Sequence, residues 1–266
     1  MYKTRYHRPT DLAEAVMLIS GADDGRFLAG GQTLIPTMKQ RLAAPTDVVD
    51  VARLEALSGI LVDADRVSIG AAVTHAAVAT SEDVRDAIPA LSDLAAMIGD
   101  PAVRHRGTLG GSLANNDPAA DYPAAVLALE ATIHTDRREI AAADYFMGMF
   151  TTALEDDELI TRVVFPVPER AAYAKFKNPA SRYAMAGVFV ARMKDGAVRV
   201  GVTGASGDGV YRAAEIEAAL LANWSADAIQ PLTVDTAGML SDIHGSAAYR
   251  ANLVKVMAKR AVAAIA

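Results

Sequence analysis

Two glycine-rich segments constrain the fold of this chain more than any other feature of its sequence. They span residues 28–36 and 107–121, and each combines paired glycines with small hydroxyl or amide residues. Glycine lets the backbone approach a ligand closely, and free N–H groups at the start of a helix bind anions. A tight strand-to-helix turn can need the same glycines, so either segment alone could be a plain connection. Two such segments in 266 residues favour one extended, doubly phosphorylated ligand.

The first segment supplies eight candidate binding residues, namely Leu28, Ala29, Gly30, Gly31, Gln32, Thr33, Leu34 and Ile35. The second supplies five, namely Thr108, Leu109, Gly110, Gly111 and Ser112. A short strand over 26–29, a helix over 34–42 and a strand over 47–51 predict a βαβ unit around the first segment. The second lies in a loop predicted over 99–121, whose length indicates a functional role.

Two common nucleotide-binding motifs are excluded by the glycine spacing. Asp50 lies 20 residues after Gly30, where a Rossmann fold places its ribose-binding acid. The segment lacks the third glycine of G-x-G-x-x-G, so Asp50 is better interpreted as a residue at the end of a strand. The chain also has no G-x-x-x-x-G-K-[ST] motif for phosphoryl transfer.

Composition narrows the possible functions further. Hydrophobic residues make up 52% and charged residues 22%, which is typical of a globular protein, and the net charge of −6 argues against nucleic-acid partners. There are no cysteines, hence no disulfide, cysteine nucleophile or thiolate-bound iron–sulfur cluster of the chain's own. The histidines lack zinc-site spacing and are expected at the surface or in helix caps, and no G-x-S-x-G elbow occurs. We therefore predict neither a metal site nor a catalytic side chain. With no apolar run long enough to span a bilayer, the expected location is the cytoplasm.

The remaining chain alternates between predicted helices and strands. Helices are expected over 9–20, where Thr10 would be the cap, over much of 74–98, and over 123–130, 213–222 and 247–264. Strands are expected over 66–73, 159–166, 187–193 and 197–202, the last two joined by a turn at Asp195 and Gly196. The proline-rich stretch 166–172 predicts a domain boundary.

Taken together, these segments resemble a known family. The motifs at 29–34 and 108–112 look like the two FAD-binding motifs of the flavoprotein subunit of molybdenum hydroxylases, which include aerobic carbon monoxide dehydrogenase and xanthine dehydrogenase. Further matching stretches cover nearly the whole chain, at 6–9, 36–39, 117–123, 173–177, 183–184, 241–246 and 249–250.

The resemblance implies an α+β fold with a two-lobed FAD-binding domain of the vanillyl-alcohol oxidase/PCMH-like type. This domain would span 1–170, with lobes of about 1–55 and 56–170. A small α/β C-terminal domain of the CO dehydrogenase flavoprotein type would span 171–266.

The resemblance also implies roles for individual residues. Residues 29–34 would wrap the FAD pyrophosphate, and 108–112 would complete the cradle. Five further residues match FAD-site positions of the family: Arg104 before the second motif, Asp121 at the flavin end, Ile160 and Lys177 in the pocket wall, and Tyr183 beside the isoalloxazine ring. The chain departs from the family pattern at His105, at Asn178 and Pro179, and at Arg182, positions that the resemblance places beside the flavin edge.

The implied function is electron transfer within a complex. The partners would be a large molybdopterin-binding subunit and a small subunit with two [2Fe–2S] clusters, assembled as a dimer of heterotrimers. Electrons would pass from the clusters to FAD on this chain and then to an external acceptor. The complex would lie in the cytoplasm, with attachment to the inner membrane face through the complex as a variant of that expectation. The alternative is a stand-alone FAD oxidoreductase of the vanillyl-alcohol oxidase-like superfamily.

Overall fold

The computed structural model describes residues 1–265 as a mixed arrangement of helices and sheets. The strands are β1 (Arg5–His7), β2 (Gly25–Leu28), β3 (Asp47–Asp50), β4 (Ile60–Val62), β5 (Arg66–Gly70), β6 (Thr132–Thr135), β7 (Glu139–Ala141), β8 (Phe146–Gly148), β9 (Thr151–Thr152), β10 (Ile160–Pro166), β11 (Arg170–Lys177), β12 (Ala184–Arg192), β13 (Val198–Thr203) and β14 (Tyr211–Arg212). The helices are α1 (Leu12–Ser20), α2 (Leu34–Lys39), α3 (His75–Thr80), α4 (Glu82–Ala87), α5 (Pro89–Ala96), α6 (Pro101–Arg104), α7 (Leu109–Asn115), α8 (Tyr122–Ala128), α9 (Ala142–Tyr145), α10 (Ala214–Ala222), α11 (Ala226–Ile229) and α12 (Ala247–Ala263), with a 3-10 turn over Glu55–Leu57. None of these helices is long and apolar enough to cross a membrane.

A small parallel sheet forms the first layer. Its strand order is β1-β3-β2, and β2 and β3 run parallel on either side of α2 in sequence. This confirms the predicted βαβ unit. Asp50 ends β3 as expected, where its carboxylate accepts hydrogen bonds from the Tyr6 hydroxyl at 2.5 Å and the Ala52 N–H at 3.0 Å.

A five-stranded antiparallel sheet forms the second layer, in the order β4-β5-β10-β6-β7. Alternate residues of β5 and β10 point into one hydrophobic core, as the period of two along a strand requires. That core includes Ile69, Val163 and Phe165, together with the apolar faces of α5 and α8. The second glycine-rich segment lies at the edge of this core, because Leu109 and Leu113 of α7 are buried in it.

A third sheet, β11-β12-β13-β14, is antiparallel and covered on both faces. Val188 and Val190 of β12 pack into a core with α10 and α12, whereas Phe189 and Ala191 pack into the core shared with α5 and α8. The continuous apolar run of β12 follows from this burial on two sides. The predicted domain boundary near residue 170 falls between β10 and β11, and it stays a prediction.

Three local predictions were wrong: the cap of α1, the single loop over 99–121 and the full length of the strand over 66–73. Asp11, not Thr10, caps α1, because its carboxylate accepts the Glu14 N–H at 2.9 Å. The stretch 99–121 is not one loop: Asp100 caps α6 and Thr108 caps α7. Short polar caps of this kind start helices too brief to show a hydrophobic period.

The alternating segment 66–73 is a strand only to Gly70. Beyond Gly70 the chain turns toward α3, and the N–H groups of Ala71 and Ala72 bond to the carbonyls of Thr161 and Leu57 at 2.9 and 2.8 Å. The helix-rich stretch 74–98 is divided into α3, α4 and α5. The short strands β1, β4, β6 and β7 have three or four residues each and were not predicted. Most of β11 was not predicted either.

Candidate functional site

A cavity of about 740 Å³ lies between the two glycine-rich segments. Its volume is within the range of small-molecule and cofactor sites. Of the residues proposed from sequence, fourteen line it: Leu28, Ala29, Gly30, Gly31, Gln32, Thr33, Leu34, Thr108, Gly110, Gly111, Ser112, Asp121, Ile160 and Tyr183. The structure therefore brings both segments and residues from both sides of the predicted domain boundary to one wall.

The backbones of the two segments touch at Gly30. A carbon added there would lie 2.1 Å from the Arg106 carbonyl oxygen and 2.7 Å from the Cα atom of Gly107. Because both contacts are with backbone atoms, no side chain could move aside to admit a Cβ. Gly30 is thus required for the approach of the two segments that closes the cavity.

The first segment keeps its backbone donors free. Within residues 1–265, the N–H groups of Gly31, Gln32 and Thr33 have no hydrogen-bond acceptor. Gly31 has a φ of +70°, and a Cβ there would meet the Ile35 side chain at 2.7 Å rather than the cavity. Successive free N–H groups in a tight turn form an anion-binding concavity without any lysine.

The second segment uses its backbone donors inside the protein. The N–H of Leu109 bonds to the Val73 carbonyl at 3.0 Å and that of Gly110 to the Ala71 carbonyl at 2.9 Å. The N–H of Gly111 bonds to the Thr108 hydroxyl at 3.1 Å. What this part of the chain offers a ligand is instead the side chains of Ser112 and Asn115, which line the cavity.

Gly110 has a packing role that the sequence did not reveal. A carbon added at Gly110 would lie 2.6 Å from the Cβ of Ala71 and 2.9 Å from its carbonyl oxygen. The start of α7 therefore sits directly on the turn that follows β5. This close approach fixes the second segment against the five-stranded sheet.

Asp121 lies immediately before α8, and its side chain does not cap that helix. It accepts a hydrogen bond from the Tyr173 hydroxyl at 2.5 Å and one from the Lys175 ammonium at 2.8 Å. Burial raises the pKa of the Asp121 carboxyl, and Lys175 and Tyr173 act against that rise. The Asp121 carboxylate is occupied instead by the two donors from β11.

His75 contradicts the expectation that the histidines lie at the surface or in caps. It is the first residue of α3, lines the cavity and is only 5% exposed. Its backbone N–H donates to the Gly107 carbonyl at 2.9 Å, and its imidazole ring lies against the Cα of Gly107. Burial, with a smaller contribution from the Arg104 guanidinium, lowers the pKa of His75 to about 4. The imidazole is therefore neutral at physiological pH.

Carboxylates at another part of the cavity wall are tied to arginines. The buried Glu158 accepts two N–H bonds from Arg138, at 2.9 and 2.8 Å, and Glu155 accepts one from Arg137 at 2.8 Å. Arg138 lowers the pKa of Glu158 to about 2. These pairings compensate the negative charges of Glu155 and Glu158.

Tyr183 lies on the connection between β11 and β12 and is half exposed at the cavity. Burial and the nearby carboxylates of Asp117 and Asp121 raise the pKa of its hydroxyl, which stays protonated at neutral pH. Arg182 beside it has a φ of +63°. Tyr183, Arg182, Asp117 and Asp121 all line the same cavity.

Four of the residues proposed from sequence lie outside the wall: Ile35, Leu109, Arg104 and Lys177. Leu109 is fully buried in the core, and Arg104 donates to the carbonyls of Ile98 and Gly99 at 2.9 and 3.2 Å. Lys177 is exposed at the end of β11. Their binding roles stay predictions.

Three of the wall residues that were not among the candidates predicted from sequence are His75, Phe150 and Lys175. Lys175 carried a usable signal, because it alternates with Tyr173 and Lys177 along a strand, and a lysine facing inward requires a partner. Phe150 has a φ of +55° and bonds through its N–H to the Asn116 carbonyl. No local pattern in the sequence predicts that contact.

Comparisons with known proteins agree with this arrangement. Residues 2–168 match the family described as the FAD binding domain in molybdopterin dehydrogenase. The chain is 36% identical to the nicotine 6-hydroxylase medium subunit of Paenarthrobacter nicotinovorans, over 97% of this chain and 95% of that protein. It is also 36% identical to the carbon monoxide dehydrogenase medium chain of Afipia carboxidovorans, over 97% of this chain and 94% of that protein.

A solved structure shares the fold. A chain of the carbon monoxide dehydrogenase from Hydrogenophaga pseudoflava superimposes with a TM-score of 0.91 at 33% identity, covering 98% of this chain and 96% of that chain. The similarity extends through all three main sheets. It confirms the predicted α+β fold.

Proposed function

Because the chain belongs to the family of FAD-binding domains of molybdopterin dehydrogenases, we propose that it is the FAD-carrying medium subunit of a heteromeric molybdenum hydroxylase. The observation that carries the proposal is the cavity formed where the two glycine-rich segments meet. Its chemistry fits a dinucleotide: unpaired backbone donors suit a pyrophosphate, and an apolar and aromatic wall suits ring systems.

Different residues of this chain would bind different parts of FAD. The N–H groups of Gly31, Gln32 and Thr33 bind the pyrophosphate, while Ser112 and Asn115 donate from the opposite segment. Asp121 and Tyr183 lie at the flavin end, and the buried Ile160 contributes apolar surface. Arg104 and Lys177 would act at the margin of the site. No side chain of this protein serves as nucleophile or general base.

The chemistry supplied by bound FAD is the passage of electrons from an iron–sulfur donor to an external acceptor. The partners are a large molybdopterin-binding subunit and a small subunit carrying two [2Fe–2S] clusters, in a dimer of heterotrimers. Medium subunits among the relatives support this assignment, since each is named as one chain of a larger enzyme. The complex would work in the cytoplasm.

The test is a visible absorption spectrum of the tagged protein isolated from its native host with the chains that co-purify. Flavin bands superimposed on broad iron–sulfur absorption, with FAD equimolar to this chain, are the expected result. Flavin bands without partner chains, even after isolation at low salt, would favour a stand-alone FAD oxidoreductase. A protein that neither contains FAD nor binds added FAD in equilibrium dialysis would overturn the assignment.

A further inference from the structure

A buried ion pair forms part of the cavity wall. The Lys175 ammonium lies 2.8 Å from an Asp121 carboxylate oxygen, and the two side chains are 0% and 4% exposed. Lys175 also donates to the Met97 carbonyl at 3.2 Å, and the second Asp121 oxygen accepts the Tyr173 hydroxyl at 2.5 Å. An ammonium has three N–H donors. Among the described residues Lys175 uses two of them, so one remains for a ligand.

Stability alone does not explain this arrangement. Withdrawing two charges from water costs as much as their attraction returns, and a well-packed apolar pair is often equally stable in such a position. The Tyr173 hydroxyl already links β11 to the start of α8, because it donates a hydrogen bond to Asp121. The charges of Asp121 and Lys175 are therefore better explained by what they face, which is the cavity.

Charges at this position act strongly on a redox group. Reduction adds negative charge to a flavin unless protons follow the electrons in equal number, so a nearby cation favours the reduced state and a nearby anion opposes it. Both effects are large in a buried site, where water screens charges poorly. Asp121 and Lys175 lie on the same wall, so their effects on the flavin have opposite signs.

We propose that Asp121 and Lys175 act as opposed charges that set the reduction potential of the flavin bound in the cavity. The proposal rests on the proposed function, since it needs FAD with its flavin end at Asp121. Lys175 makes the flavin easier to reduce, Asp121 makes it harder, and Tyr173 holds the carboxylate in place. The pair thus keeps the potential between the values that either charge alone would produce.

The experiment measures the flavin potential of the full chain, loaded with FAD, by equilibration with reference dyes at pH 8.5. Asp121→Asn should raise the ratio of reduced to oxidised flavin at a fixed potential about tenfold, which is about 30 mV for a two-electron couple. Lys175→Gln should lower the ratio by a similar factor. The double variant should return to within about threefold of the wild-type ratio.

Lys194→Gln is the matched control. Lys194 pairs with Asp65 at 2.8 Å, is half exposed and does not line the cavity. This variant removes the same charge from the turn between β12 and β13, and the flavin potential should stay at the wild-type value.

Outcomes that contradict the proposal are distinct from failure of the proposed function. If the wild type binds FAD stoichiometrically and both single variants leave the potential unchanged, or shift it in the same direction, the pair does not set the potential. If a single variant fails to fold, the double variant still decides, because a tenfold or larger shift there would show that the charges do not oppose each other. Absence of FAD binding by the wild type would instead reject the cofactor site itself.

Discussion

The two glycine-rich segments look alike in sequence and do different work in the structure. Within the described chain, residues 31–33 keep their N–H groups free at the cavity, whereas those of residues 109–111 bond to the turn after β5 and to Thr108. Gly31 is needed for a left-handed backbone, while Gly110 is needed because Ala71 lies against it. A glycine motif beside a ligand can thus either supply backbone donors to the ligand or allow close packing against the rest of the protein. Whether its N–H groups are already hydrogen-bonded within the protein distinguishes the two roles.

The largest effect is expected where the second segment is packed most closely. Gly110→Ala should lower the free energy of unfolding by about 3 kcal/mol, because the added carbon meets the rigid backbone and Cβ of Ala71. Urea unfolding without FAD measures this loss. Gly207→Ala is the control, since the nearest atoms there lie at 3.5 and 3.8 Å and the change should cost little. Equal stabilities of the two variants would contradict a supporting role for Gly110.

A change in the first segment should affect the cofactor more than the fold. Gly31→Val should weaken FAD binding about a hundredfold, since a β-branched residue resists the φ of +70° that aligns the free N–H groups. Fluorescence titration with FAD measures the dissociation constant.

Gly196→Val is a matched control for that variant. Gly196 has a φ of +86° in the turn between β12 and β13, with no atom within 4 Å of an added carbon. It should lose stability by a similar backbone strain while keeping the wild-type affinity for FAD. Unchanged affinity in Gly31→Val would show that the pyrophosphate binds elsewhere.

A smaller effect should appear with pH, through the histidine behind the second segment. Burial lowers the pKa of folded His75 to about 4 from an ordinary 6.5, so the unfolded chain takes up the proton first as pH falls. Stability present above pH 6.5 is lost progressively toward pH 4, by about 2 kcal/mol between pH 7 and pH 5.

His75→Gln should remove this part of the pH dependence. Urea unfolding at the two pH values gives the difference, and the exposed His244→Gln should retain the full wild-type loss. If His75→Gln lost as much stability on acidification as the wild type, the packing of the ring on Gly107 would not control the acid response.

Much of the fold could be predicted from sequence because its signals are local. The βαβ unit, the long helix α12 and the hairpin of β12 and β13 each carry their own periodicity or turn residues. Short strands such as β1 and β7 have three residues, too few to show alternation. They exist because of their neighbours in the sheet, which a local pattern does not contain.

The candidate site, too, could be predicted from sequence only where its signals are local. Its glycines were found because a motif is contiguous, and the role of Lys175 was missed because its partner Asp121 is 54 residues away. His75 looked like a cap residue, since nothing near it in sequence reveals that Gly107 would cover its ring. Long-range contacts of this kind turn a polar side chain into a buried one.

The burial of β12 on both faces has a consequence for the integrity of the molecule. The segment matched by the FAD-binding family ends at residue 168, yet Phe189 and Ala191 complete the core against which α5 and α8 lie. A fragment that ended at residue 168 would expose this apolar core surface on the part of the chain that carries both glycine-rich segments. We therefore expect the part of the chain that forms the cavity and the last third of the chain to unfold together.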